Sequence, residues 1–168
     1  MKIQKSEHSV FSDAKTLIKN AEGFSSLIYI DTLGNDTIGY GFDLADLISK
    51  GFLPSNTRTI TPADADLILD KIINTIFYQI YQIDMLDNIK ACYNKQYGTV
   101  QAVFIDMIYN LGFKGFSEFV VFLSYMNDLK YNEAVIDLTN SLWYSQVKQR
   151  AIRNCFIILN HSDSLYLI

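Results

Sequence analysis

The segment Thr61-Pro62-Ala63-Asp64 constrains the fold of this chain more than any other. It offers a capping hydroxyl, a proline in the first turn where its missing N–H costs nothing, and an acid beside the positive end of a helix. No breaker follows until about Ile83. The pattern therefore predicts a helix of roughly 20 residues, ~30 Å long at 1.5 Å per residue. In a chain of 168 residues, a helix of that length reads as a strut between two lobes.

On the amino-terminal side of the strut, Ala14, Leu17, Ile18 and Ala21 recur at helical spacing over residues 13–22. Ser12 or Asp13 can cap that helix, and Gly23 is a natural stop. Residues 26–31 (SLIYID) and 36–41 (DTIGYG) are short, β-branched or aromatic, and flank Gly34-Asn35, which predicts a hairpin. With Leu33-Gly34-Asn35 as its loop, Asp31 would lie directly across from Thr37 on one face, an inference that depends on register. Beyond the strut, helices are expected near 85–94, 97–110, 117–128, 131–140 and 145–158, with Gly112 and Gly115 breaking the pattern between the second and third. The fold class is α+β, mainly α. There is no internal repeat and no low-complexity linker.

Several functions are excluded by composition. Apolar residues make up 49% and charged residues 19%, a globular balance with enough material for a real core. The net charge of −4 argues against a nucleic-acid partner, which needs a basic face to neutralise phosphates. No apolar run approaches the ~18 residues of a membrane span, and MKIQKSEHSV lacks the apolar core of a signal peptide. Cys92 and Cys155 read as isolated buried thiols. His8 and His161 form no metal-ligand spacing, and Gly39-Tyr40-Gly41 is too short to cradle a phosphate. Neither a metal nor a cofactor is expected.

Three polar residues stand in unusual places. Glu22 falls at the end of a helix, where the partial negative charge disfavours a carboxylate by ~0.3–1 kcal/mol. Local rules of this kind tend to be broken at functional sites. A carboxyl in such a field is drawn towards its protonated form, which a general acid requires. Asp31 is a poor strand residue whose ordinary role would be turn formation. Two carboxylates flanking a cleft, with the Thr37 hydroxyl beside one, suit glycosidic hydrolysis: one protonates the leaving oxygen, the other activates a water that the hydroxyl helps to hold.

The spacing Glu22, eight residues, Asp31, five residues, Thr37, then Ile-Gly-Tyr-Gly resembles the active-site signature of the phage-type lysozymes, glycoside hydrolase family 24. ITPADADLIL (60–69) resembles the start of that family's inter-lobe helix. NLGFKGF (110–116) resembles its Asn-x-Gly…Gly-Phe segment, and NEAVIDLTNSLWYSQVKQRA (132–151) its Glu-Ala…Trp-Tyr…Arg-Ala segment. The likeness runs in order over roughly residues 13–166.

This resemblance implies one two-lobed, lysozyme-like domain over 1–168: a hairpin lobe at about 13–60, an inter-lobe helix at 61–83 and a helical lobe at 84–168. It implies a monomeric muramidase acting on peptidoglycan glycan strands at the β-1,4 bond between N-acetylmuramic acid and N-acetylglucosamine. Glu22 would be the general acid, Asp31 the base-side carboxylate and Thr37 the water-positioning hydroxyl. Arg150 would pair with the catalytic glutamate, while Tyr109 and Asn110 would line the glycan cleft. Synthesis in a bacterial cytoplasm and later release to the cell wall by another route would follow. There are departures as well. Phe42 stands where His usually follows Gly-x-Gly, and Asp43 and Asp137 replace Leu and Asn at cleft-side positions. The acidic charge gives no long-range attraction to anionic cell-wall polymers unless Lys148, Arg150 and Arg153 form a local basic face. The competing reading is a lysozyme-fold glycan-binding or localisation module without turnover.

Overall fold

The structure, a computed structural model, describes residues 7–82 and 87–161. In chain order the elements are α1 (Glu7–Glu22), β1 (Ser25–Ile30), β2 (Asp36–Gly39), β3 (Phe42–Asp43), α2 (Leu44–Ser49), α3 (Pro62–Gln82), α4 (Asp87–Lys95), α5 (Gly98–Ser117), α6 (Val120–Asn127), α7 (Tyr131–Thr139), α8 (Leu142–Val147) and α9 (Gln149–Leu159). The fold is α+β and mainly α, with one antiparallel sheet among the described residues, in the order β1-β2-β3.

Helix α3 forms as its first turn dictates. Thr61 Oγ1 accepts the Asp64 N–H at 3.1 Å and donates to the Asp64 carboxylate at 2.7 Å, so cap and acid satisfy each other. Ile83, at its expected end, and Met85 and Leu86, at the start of the next expected helix, lie outside the described residues.

Tertiary packing moves several other boundaries. α1 starts at Glu7 rather than near Asp13, because Val10 is buried and Phe11 stacks on Phe77 of α3, their ring centroids 6.3 Å apart. β3 and α2 were not expected; Asp43 creates the second by accepting the Asp46 N–H at 2.9 Å. α5 runs through the Gly112 break, where φ of 72° and ψ of 159° kink it, and continues to Ser117. The expected helix over 145–158 is two helices, split at Lys148, whose φ of 33° is strained for a residue with a side chain. Cys92 and Cys155 are buried free thiols, and burial pushes them up to about 12 and about 11.

The hairpin register corrects the expected pairing of Asp31 with Thr37. Tyr29 pairs with Thr37 and Ile30 with Asp36. Asp31 leaves the ladder because its Oδ1 accepts the N–H groups of Leu33 and Asn35, both at 2.8 Å, while its own N–H donates to the Asn35 carbonyl at 3.0 Å. The loop is therefore closed by Asp31 and Asn35. The register differs by two residues, an even number, so Thr37 keeps its expected face.

α5 forms the centre of the core, buried continuously from Ala102 to Ile108, and α1 packs along it. Charges clasp α1 to α3: Lys15 meets Asp70 at 2.6 Å, and Lys19 meets both oxygens of Asp66, at 2.9 and 3.1 Å. The Tyr40 hydroxyl, just beyond β2, donates to Asp66 at 2.9 Å, which ties the sheet to the same point. Burial acts to raise the Asp66 pKa, but the bonds from Lys19 and Tyr40 and the charge of Lys15 outweigh it and hold the carboxyl low. A carboxyl lowered by folding contributes stability above its unfolded pKa, and that stability is lost as pH falls through the folded value. Asp66→Asn is expected to cost about 1–2 kcal/mol at neutral pH. In paired urea titrations, the gap from the parent protein should narrow as pH drops from about 5 to about 2.

Candidate active site

Glu22 is the last residue of α1 because Gly23 turns the chain at φ 68°, its N–H returning to the Lys19 carbonyl at 3.1 Å. The glutamate thus sits at the negative end of a helix, its side chain 24% exposed. Arg150 of α9 answers that field: its Nη1 donates to Glu22 Oε1.

The guanidinium is itself held from behind. Arg150 Nε and Nη2 donate to the two oxygens of Asp106 at 3.0 and 2.8 Å, a bidentate pair. Asp106, on α5, is fully buried and also accepts from Arg153 at 3.0 Å and Asn154 at 2.8 Å. Arg153 reaches on to the Leu17 carbonyl of α1 at 2.9 Å. Two carboxylates and two guanidiniums therefore balance one another where α1, α5 and α9 meet. Burial works against the charge on Arg150, but Asp106 outweighs it and raises the Arg150 pKa; at Arg153 burial prevails and lowers it. Arg150 and Arg153 are thus committed to this network. They do not form the basic face expected with Lys148, which is exposed.

Asp106 is the residue that the sequence reading missed. Its signal was an acid inside the apolar run Ala102-Val103-Phe104-Ile105-Asp106-Met107-Ile108, since a buried charge must be paired.

Beside Glu22 lies a cleft of about 270 Å³, walled by Gly41, Phe42 and Asp43 on the sheet side, by Ile72, Thr75 and Ile76 of α3, and by Tyr109, Gly112 and Phe113 of α5. Gly41 joins it to the glutamate. A Cβ there would stand 3.0 Å from Glu22 Oε2, and φ is 78°, so only glycine leaves that oxygen room. The Tyr109 hydroxyl donates to the Tyr40 carbonyl at 2.6 Å and bridges α5 to the sheet end of the cleft. Burial, then the Glu22 charge, raises the Tyr109 pKa, so the phenol stays a donor. Asn110 is exposed, and its Oδ1 accepts the indole N–H of Trp143 at 2.7 Å.

Thr37 is buried and donates to the Asn35 carbonyl at 3.1 Å. Hydrogen bonds to Asp31, first the Asn35 amide, lower its pKa and keep it ionised. Phe42 is buried edge-on against Tyr40, with ring centroids 6.0 Å apart. Asp137 is half-buried on α7. Among the described residues, no three His, Cys, Asp or Glu side chains converge as a metal site, and no helix is long and apolar enough to cross a membrane.

The phage lysozyme family matches residues 19–153. The chain belongs to that family. The matched span contains Glu22, Asp31, Thr37, Tyr109, Asn110 and Arg150, together with Asp106 and Arg153. The chain is also similar to a probable T4-type lysozyme 2 of Dictyostelium discoideum, 26% identical over 157 residues, which covers 84% of this chain and 91% of that one. In this member of the family, the buried network gives a direct test. Asp106→Asn leaves two guanidiniums facing a neutral amide, and removing one partner of a buried ion pair typically costs about 3–5 kcal/mol. Urea unfolding is expected to show a loss of that size, and a loss below about 1 kcal/mol would contradict the pairing.

Proposed function

We propose that the protein is a muramidase that hydrolyses the β-1,4 bond between N-acetylmuramic acid and N-acetylglucosamine in peptidoglycan, with inversion at the anomeric carbon. One observation carries the reading. Glu22 stands at a helix end with Oε1 committed to Arg150 and Oε2 against Gly41, at the edge of the cleft. Family membership supports the same reaction class.

In this mechanism, Glu22 donates its proton to the leaving oxygen as the C1–O bond breaks. A water adds to C1 from the opposite face and passes a proton to Asp31. Asp31 is ionised at neutral pH because its turn bonds hold it so, and it also steadies positive charge developing on the sugar. The Thr37 hydroxyl donates its proton to Asn35, which leaves its lone pairs to accept from the attacking water. Tyr109, which lines the cleft, and Asn110 beside it contact the glycan. With Arg150 and Arg153 committed to the buried network, recognition rests on short-range contacts rather than on long-range attraction.

Glu22→Gln removes the transferable proton and keeps the shape. Turnover of purified sacculi should fall at least ~100-fold, the lower end of general acid–base contributions. Hydrolysis by the Gln variant near the parent rate would reject Glu22 as the acid, and binding of sacculi without hydrolysis by the parent protein would favour the glycan-binding module instead.

Stereochemistry tests the role of the water. Proton NMR of early product should show the α-anomer first, and Thr37→Ala should lower kcat while KM holds. First appearance of the β-anomer, or a glycosyl ester on Asp31, would reject inversion and leave muramidase activity standing.

A further inference from the structure

Thr37 has two cross-strand neighbours, Tyr29 on β1 and Asp43 on β3. Directly opposed residues share a face of a sheet, so Tyr29, Thr37 and Asp43 form one row across all three strands. Asp43, at one end of the row, is among the residues that line the cleft. The ladder is irregular between Ser25 and Tyr29: four steps along β1 answer two along β2. A bulge of this kind re-aims the side chains that follow it and is common beside active sites. Here it delivers a tyrosine to the place opposite Thr37.

Tyr29 is 41% exposed, and among the described residues its hydroxyl has no hydrogen-bond partner. Burial of part of the ring, then the charges of Glu22 and Asp31, raise its pKa above the usual tyrosine value. Both carboxylates of the proposed mechanism therefore act on this one phenol, which remains a donor wherever they are ionised. An open tyrosine offers a flat apolar face and a polar tip on a stiff side chain. Those are the two features a pyranose ring can use, its C–H face against the aromatic ring and an acetamido or hydroxyl oxygen against the O–H.

We infer that Tyr29 is a substrate-contacting residue that positions the sugar between Glu22 and Asp31, its ring against the sugar face and its hydroxyl donating to a sugar oxygen. The inference rests on the muramidase reading and adds to it a contact from the β1 side of the site.

The test uses Tyr29→Phe and Tyr29→Ala with a soluble tetrasaccharide of alternating N-acetylglucosamine and N-acetylmuramic acid. Binding is measured by calorimetry in the Glu22→Gln background, and turnover in the otherwise native protein. Tyr29→Phe is expected to melt with the parent protein, bind the tetrasaccharide about 10-fold more weakly and raise KM by a similar factor, as loss of one hydrogen bond implies. Tyr29→Ala should lose more, because the ring goes as well. A tyrosine that merely covered the sheet would leave binding and KM unchanged in the Phe variant, since the ring remains. If the parent protein cleaves and Tyr29→Phe binds and turns over equally well, the Tyr29 assignment falls and the muramidase reading stands. If the parent neither binds nor cleaves the tetrasaccharide or sacculi, both fall.

Discussion

The bidentate pair between Asp106 and Arg150 is the interaction on which the rest of the molecule depends. A fully buried carboxylate on the central helix cannot remain ionised without partners. The partners come from α9, and through them α9 is fixed against α5 and, via Arg153 and Leu17, against α1. The same guanidinium then meets Glu22 at the last turn of α1. One cation thus joins three helices and orients the carboxyl that lies against Gly41 of the cleft wall. Charge at the end of α1 is tolerated because Arg150 offsets what the helix field opposes.

The cleft is assembled by a second set of ties. Asp66 gathers Lys19 from α1 and the Tyr40 hydroxyl from the end of β2 onto α3. Tyr109 reaches from α5 to the Tyr40 carbonyl. Tyr40 is therefore held from two helices at once, and the glycine that follows it gives Glu22 Oε2 its room. Position on the sheet and position of the acid are in this way mechanically linked.

How much of this was legible depended on whether the cause was local. The start of α3 could be read from four residues, because Thr61, Pro62 and Asp64 determine it among themselves. Glu22 was legible as an anomaly, an acid in front of a helix-stopping glycine. The hairpin register was not, since it depends on the Asp31 side chain capturing two amides of its own loop and on an irregularity near Ser25. The break at Lys148 has no glycine or proline to announce it. Asp106 lay between these cases. An acid in an apolar run declares that a partner exists, but only the folded chain identifies Arg150, Arg153 and Asn154 as its partners.

The measurement that bears most directly on the central claim is the identity of the new chain ends when purified sacculi are digested, read by borohydride reduction and mass spectrometry. Hydrolysis with Glu22 as acid and water as nucleophile predicts reducing-end N-acetylmuramic acid, recovered as its alditol. Reducing-end N-acetylglucosamine would place the cut at the other bond. An anhydro-muramic end that resists reduction would mean that no water attacks, contradicting the roles given to Asp31 and Thr37.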